Sequence, residues 1–570
     1  MNRPRLITPE LQQRHGDLGR LLAIGGGAVL AVSALLPWSY GFDALDGMTL
    51  LFYPSPLQVM GLVLGLIVVA GIVCSRRFLP QRGRPQAGWL AAARTAATGA
   101  LLFVVIILVS IAAELGGLVN VEYGGWVALV GALVAFAGTR LVASGRPATL
   151  YDARARSWLE LLAIVLVMAG ALFGIAYALD NDDAGTFVSF IVFVGAVIAA
   201  LFGLGVMGWL SAVSQRHKKV LILAAFVVAF LFPFTQNGSD ANMSIATQVI
   251  IFAAAAMGLN IVVGLAGLLD LGYIAFLGAG AFTAAVLSRS AFATLDVHPP
   301  FLVVVLISGL VSATLGLIIG TPTLRVSGDY LAIVTLAFGE IFRITMINLD
   351  GEAGPNLTHG SNGIPAIPDL TLGSFNFGKP HVLLGIPLGR FSNYYFLLLV
   401  VIALIILVFS RLNNSRIGRG WVAIREDEKA AEAMGVNVFG LKLFAFAGGA
   451  FLAGVAGSVK AHQDISVTPD QYVFLQSAFL LAAIVLGGMG TVLGVLIGAA
   501  LLILLPEKLR FVSEFRLLLF GLTLIVMMRF RPEGLIASRR RQLEFHEEDE
   551  ELAERIDDQI QPSVLKGATT

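Results

Sequence analysis

The sequence predicts an all-α polytopic membrane protein of about 16 transmembrane helices with both termini in the cytoplasm. Three observations predict it. Hydrophobic residues make up 57% of the 570 positions and charged residues only 13%, against about 25% charged in globular domains, and the mean hydropathy is +0.85. Apolar runs long enough to cross a bilayer recur along the whole chain. The short gaps between them alternate basic and acidic.

Each span needs about 20 apolar residues. The runs lie near 19–39, 57–74, 98–118, 125–145, 158–178, 188–210, 219–235, 244–264, 268–288, 301–320, 329–347, 392–410 and 441–459. The stretch 475–505 is too long for one span and breaks at Gly487-Gly488-Met489-Gly490, which gives two short helices; a last span covers 513–529. Arg3, Arg5, Arg14 and Arg20 precede the first run, and Asp43 and Asp46 follow it. The alternation continues through Arg76–Arg84, Glu114 and Glu122, Arg140–Arg156, Asp180–Asp183 and Arg216–Lys219. The positive-inside rule then places the N-terminus in the cytoplasm, and the same parity puts Arg411–Arg425 and Arg529–Arg541 inside. A cleaved signal peptide over residues 1–34 is a competing reading that leaves this parity intact.

Composition also excludes classes. The 38 basic and 37 acidic residues leave a net charge of +1, with no basic excess to attract nucleic acid. A single cysteine, Cys74, excludes an internal disulfide and a Cys-rich metal site. There is no HExxH, no GxSxG and no His pair at metal spacing. A membrane-embedded enzyme therefore has no catalytic constellation to stand on.

A polar gap at Gln236–Ser244 divides the chain into an N-terminal extension of about seven spans, 1–243, and a second part of about nine, 244–535. The extension reads as plain apolar helices with little polar content inside the membrane. The second part encloses two long polar connections. The one at 348–391 is rich in Gly, Pro and Asn, so it reads as turns, and parity puts it outside. It includes Gly373–Pro380, one residue short of a phosphate-binding P-loop, but Pro380 replaces the magnesium-binding hydroxyl. Any ATP is therefore expected on another chain. The connection at 411–440 lies inside, and helix formers run from Trp421 to Met434, with Gly435 as a stop. Ala430, Ala431, Met434 and Val438 would share roughly one face, while Glu432 belongs to the charged remainder. Such a helix either lies in the membrane interface or docks into a groove on a cytoplasmic partner. The tail 536–570 is charged and reads as a solvated segment.

Buried ionisable residues are few: Asp270, Glu340 and Arg343. Glu340 and Arg343, three apart, either neutralise each other or line a pathway. Asp270 serves either as a local cap or in a pathway. Two glycine passages interrupt apolar stretches. The first holds Asn260, Gly264, Gly267, Asp270 and Tyr273; the second holds Gly488 and Gly490. Paired broken helices point to a central pathway between inverted repeats; close helix packing through small residues is the other reading. A stand-alone ion-coupled transporter would need more carboxylates in mid-membrane than these.

Several segments carry a family resemblance: GLAGLLDLGYIAFLGAGAFTAA (264–285), TLRVSGDYLAIVTLAFGEIFRI (323–344), NLTHGSNGI (356–364), RIGRGWVAIREDEKAAEAMGVNV (416–438), GSVKAHQDISVTP (457–469) and LGGMGTVLGVLIGA (486–499). Together they resemble the LivM-type permease subunits of branched-chain amino acid ABC importers, over about half the chain. The resemblance implies an ABC-importer permease core in a bacterial inner membrane. The partners it implies are a second related permease, two cytoplasmic ATP-binding subunits that bind the ATP and Mg, and a periplasmic solute-binding protein. Similar permeases serve urea, short-chain amides and other amino acids. Residues 429–435 fall where such importers carry the ATPase-coupling loop Glu-Ala-Ala-x-x-x-Gly: Ala430, Ala431 and Gly435 match, and Lys429 stands in place of the glutamate. The resemblance thus favours docking over an interfacial helix.

Overall fold

The computed structural model describes residues 9–508 except 42–43, 46–54, 78–84, 143–154, 296, 324–328, 353, 374 and 384, and scattered positions between 515 and 536. The chain falls into two compact units. One is Met1–Asn242, taking in Glu507–Phe511; the other is Met243–Pro506, resuming at Val512.

The first unit contains α1 (Pro9–Ser33), α2 (Pro56–Arg77), α3 (Pro85–Leu115), α4 (Tyr123–Leu141), α5 (Ser157–Asp180), α6 (Ala184–Gly203), α7 (Val206–Arg216) and α8 (Lys218–Thr235). Helices α1 and α4 approach through glycine: a Cβ added at Gly131 would stand 2.7 Å from the Leu30 nitrogen. Lipid offers no hydrophobic gain for helix association, so close backbone contact supplies the attraction. Trp38, Leu64, Phe103 and Ile107 fill the core beside this pair. The expected run 188–210 is divided, because Gly205 at φ 77° starts a separate α7.

The expectation of an extension with little buried polar chemistry is corrected here. Glu160, in the first turn of α5, is only 3% exposed. Arg216 Nη1 lies 3.0 Å from its Oε1 and His217 Nε2 3.0 Å from its Oε2. A buried carboxylate requires such partners, and they come from the end of α7 and the residue that follows it, part of the basic run Arg216–Lys219 that sequence reading assigned to topology alone.

The second unit contains α9 (Asp240–Leu259), a π-helical turn Asn260–Leu265, α10 (Ile274–Val286), α11 (Phe301–Thr323), α12 (Asp329–Asn348), α13 (Arg390–Asn413), α14 (Arg416–Glu426), α15 (Glu428–Ala433), α16 (Val438–Asp464), α17 (Phe474–Gly487) and α18 (Val492–Lys508). Among the described residues thirteen helices are long and apolar enough to span a bilayer, and α10 is a shorter apolar one. With α18 these cover the expected runs up to 505. The run at 513–529 and the tail lie largely or wholly outside the described residues.

Helix α16 is the axis of this unit and packs along both α10 and α11. Its contact positions are small. An added Cβ at Gly449 would meet the Gly258 oxygen at 2.9 Å, and one at Gly454 the Ser308 oxygen at 2.6 Å. The connection 348–391 holds more than turns. It forms two antiparallel hairpins, β1 (Thr371–Leu372) with β2 (Phe375–Asn376), and β3 (His381–Leu383) with β4 (Ile386–Leu388). Such short strands leave too little alternation to be seen in sequence. Gly378 packs on the Asp369 side chain, a carboxylate engaged by Arg390 at 2.7 Å. The connection docks on the end of α16: Arg390 donates to the carbonyls of His462 and Gln463 at 2.8 and 2.9 Å.

Gly454→Ala should lower the thermal unfolding temperature of the purified chain in detergent by several degrees, since overpacking costs about 1–3 kcal/mol. Gly448→Ala, where nothing lies within 4 Å, has the same helix-propensity change and should not. Equal effects of the two would remove close packing as the reason for these glycines.

Candidate functional site

The second unit has two interrupted helices, and they meet. After α9 the chain widens into the π-turn Asn260–Leu265, passes Gly267 at φ 72°, and runs irregularly to Tyr273 before α10 begins. After α17 it turns at Gly488 (φ 122°) and Gly490 (φ 77°) into α18. Both dihedrals lie where a side chain is strained, which explains those two glycines. Asn260, fully buried, bridges the breaks. Its Oδ1 accepts from the Gly490 nitrogen at 2.8 Å, and its Nδ2 donates to the Thr491 oxygen at 3.3 Å. Gly264 leaves room for this contact: a Cβ there would stand 2.7 Å from the Gly490 nitrogen.

Irregular backbone at membrane depth is tolerated only where other groups satisfy it. Here hydroxyls do so. Thr335 Oγ1 on α12 accepts from Leu271 N at 3.0 Å, and Ser477 Oγ on α17 accepts from Ile274 N at 2.9 Å. The buried Tyr273 hydroxyl donates to Gly449 O at 2.6 Å, tying the first break to α16. At the second break, Leu535 N and Ile536 N donate to the Leu486 and Gly487 carbonyls at 2.8 and 2.9 Å.

Asp270 is 1% exposed, and its Oδ1 accepts from Gly272 N at 2.9 Å; Oδ2 has no partner. It therefore makes the local capping bond and keeps one acceptor free. Glu340 is held elsewhere. It accepts from Arg343 Nη2 at 2.6 Å, and Arg343 also reaches Asp470 at 3.2 Å. The structure thus brings Asn260, Gly264, Gly267, Asp270, Tyr273, Gly488 and Gly490 into the two breaks and places Glu340 in a separate, half-exposed ion pair.

The connection 411–440 differs from the single helix Trp421–Met434 expected. Helix α14 begins five residues earlier, at Arg416, capped by Ser415 Oγ. It ends at Asp427, whose extended backbone breaks the helix and whose side chain caps α15 through Ala430 N at 2.9 Å. An aspartate prefers this capping role to a helix interior. The expected common face is corrected too. Ala431 is 5% exposed and turned into the protein, whereas Met434 is 85% exposed, and Ala430, Glu432 and Gly435 are also exposed. Gly435 has φ 81°, as a chain reversal needs.

This element is fixed to the bundle. Trp421, fully buried, donates from Nε1 to Leu441 O at 2.7 Å and stacks on Phe444. Glu428 pairs with the buried Lys442 at 2.6 Å. Arg425, which sequence reading treated only as topological charge, donates from Nη1 to the Gly264 carbonyl at 3.0 Å. It thereby connects α14 to the first break directly. Nothing in the local sequence separates Arg425 from Arg416 or Arg419, because its target lies 161 residues away. Thr335 and Ser477 escaped notice for the same reason; lone hydroxyls in apolar helices were the available signal.

Fold and broken helices together define an all-α polytopic permease. The family model described as "Branched-chain amino acid transport system / permease component" matches residues 241–528. The chain is 36% identical over 415 residues to the high-affinity branched-chain amino acid transport system permease protein LivM of Salmonella typhimurium, covering 67% of this chain and 94% of that protein. The LivM protein of Escherichia coli matches with the same identity and coverage. The ribose import permease protein RbsC of Haemophilus influenzae is 27% identical over 51% of this chain and 83% of its own. No solved structure matches. The chain belongs to the LivM-type branched-chain amino acid transport permease family.

Asn260→Leu keeps the volume but removes the acceptor of Gly490 N, which costs about 1–3 kcal/mol for such a buried group, and takes the side-chain donor from Thr491 O, which keeps its bond from Val495 N. The purified variant should unfold at lower temperature and transport poorly. Unchanged stability and transport would mean that the two breaks are held by other contacts.

Proposed function

We propose that this chain is the permease subunit of an ATP-driven importer for branched-chain or other hydrophobic amino acids, lying in a bacterial inner membrane with both termini in the cytoplasm. It forms the translocation pathway with a second related permease. Two cytoplasmic ATP-binding subunits bind and hydrolyse ATP with Mg, and a periplasmic solute-binding protein delivers the solute at the end capped by the connection 348–391. The N-terminal unit is accessory to the pathway.

The bond from Arg425 to the Gly264 carbonyl carries this reading most directly, within the family membership. It joins the connection that would meet the ATPase to the break that would line the pathway. The exposed residues Ala430, Glu432, Met434 and Gly435 form the docking surface, and the buried Ala431 supports it from behind. Closure of the ATP-binding subunits would move α14 and α15, and Arg425 would pass that movement to the π-turn.

The test uses the complete complex in proteoliposomes. Arg425→Ala should reduce both leucine uptake and solute-stimulated ATP hydrolysis about tenfold or more, as expected from loss of a charge-assisted bond of about 1.5–3 kcal/mol, while the complex still assembles. Met434→Asp should instead weaken recovery of the ATP-binding subunits. Uptake at wild-type level in both variants would reduce this element to an interfacial helix.

The external side is tested separately. Asn356 and Ser361 are both exposed. With Cys74, the single native cysteine, replaced by serine, a cysteine placed at either position should crosslink to the solute-binding protein. Labelling from the cytoplasmic side alone would invert the topology.

A further inference from the structure

A cavity of about 230 Å³ opens at the end of α16 that the connection 348–391 caps. Its polar lining is Gln248 on α9, Lys460, Gln463 and Asp464 on α16, Gln471 from the 3₁₀ turn Pro469–Tyr472, and Gln476 on α17. Ile251 and Phe252 on α9 form an apolar wall. This is room for one small solute rather than a single water.

The chemistry of the lining is particular. Lys460 and Asp464, one helical turn apart, form an ion pair, with side chains 13% and 19% exposed. Gln463 is 2% exposed. Its Nε2 donates to Thr247 Oγ1 at 3.3 Å, and its Oε1 is buried without a partner. Gln471 Oε1 is likewise buried and unpartnered. Buried acceptors without donors are uncommon in folded proteins and cost free energy. A solute carrying N–H donors would satisfy them.

We infer that this cavity is a binding site for a zwitterionic α-amino acid with a small apolar side chain, a station on the pathway just inside the face that receives the solute. The α-carboxylate lies against Lys460, the α-ammonium against Asp464 and the unpartnered glutamine oxygens, and the side chain against Ile251 and Phe252. A zwitterion brings the opposite arrangement of the same two charges, so it adds to the Lys460–Asp464 pair without leaving net charge buried. A sugar or urea brings no charge and leaves that pair without a role in recognition. The inference rests on the importer reading and adds to it a solute site in the permease itself.

The experiment measures equilibrium binding of radiolabelled leucine to the full permease complex in nanodiscs, without the solute-binding protein, and leucine uptake by the same complex in proteoliposomes with it. Wild-type complex should bind leucine, and unlabelled leucine should compete at least about tenfold better than leucinamide, which lacks the carboxylate, or 4-methylpentanoate, which lacks the ammonium; such charge-assisted bonds are each equivalent to about a tenfold change or more. Ribose and urea should not compete. Lys460→Gln and Asp464→Asn should each weaken binding about tenfold or more. The exchange Lys460→Asp with Asp464→Lys keeps an ion pair and hence the fold; it should restore thermal stability without restoring wild-type affinity. Gln463→Leu should weaken binding less than the charge variants.

Absence of leucine binding in a complex that imports leucine would overturn the inference and leave the importer reading standing. So would competition by leucinamide and 4-methylpentanoate equal to that of leucine, or unchanged affinity in both charge variants. A complex that imports no amino acid would overturn the importer reading, and this inference with it.

Discussion

One carboxamide holds the permease core in its shape. Two helices that stop inside an apolar bundle leave amides and carbonyls that lipid cannot satisfy, and such ends are stable only against each other or against polar side chains. Asn260 presents an acceptor and a donor on one rigid plane, and it uses both across the junction, on Gly490 and Thr491. The π-turn that carries it provides the extra residue needed to swing the side chain inward, consistent with the occurrence of such turns at functional positions. Thr335, Ser477 and Tyr273 complete the satisfaction of the first break from three different helices. The position of α10, α12, α16 and α17 relative to the breaks follows from those bonds.

Much of this was legible in the sequence, and the part that was not has a common cause. Spans are visible because the bilayer sets their length, and breaks because glycine runs interrupt them; Asn260, Gly264, Gly488 and Gly490 could be named from those signals alone. Pairing across a long sequence interval leaves no local trace. Arg425 looked like any other inside charge, and Glu160 drew no attention because its partners Arg216 and His217 lie far along the chain. The common face of Ala431 and Met434 was misjudged because a continuous helix was assumed. One aspartate, Asp427, changes the phase of everything after it, so Ala431 turns inward and Met434 outward.

The element formed by α14 and α15 is held at three points of differing character. Trp421 is a packed anchor, Glu428 with Lys442 an ion pair, and Arg425 a single charge-assisted bond to backbone. The first two fix α14 and α15 to the start of α16, so the element and that helix form one mechanical body. The third crosses to the break, whose irregular backbone is itself fixed by Asn260, Thr335, Ser477 and Tyr273. The three points therefore tie α14, the start of α16 and the first break into one connected network of bonds.

The glycine-lined flanks of α16 set the spacing of the bundle. At Gly449, Gly454 and Gly457 the backbones of α9, α11 and α10 stand where a side chain would otherwise be. The notches run both ways, since Phe451 lies over Gly309 of α11 and Leu452 beside Gly258 of α9. The 27 residues of α16 extend for about 40 Å at the α-helical rise, from the tryptophan-anchored end to the Lys460–Asp464 end. Along that length the helices are keyed to one another, and a single added methyl group at one of the three glycines would act as a wedge between two of them.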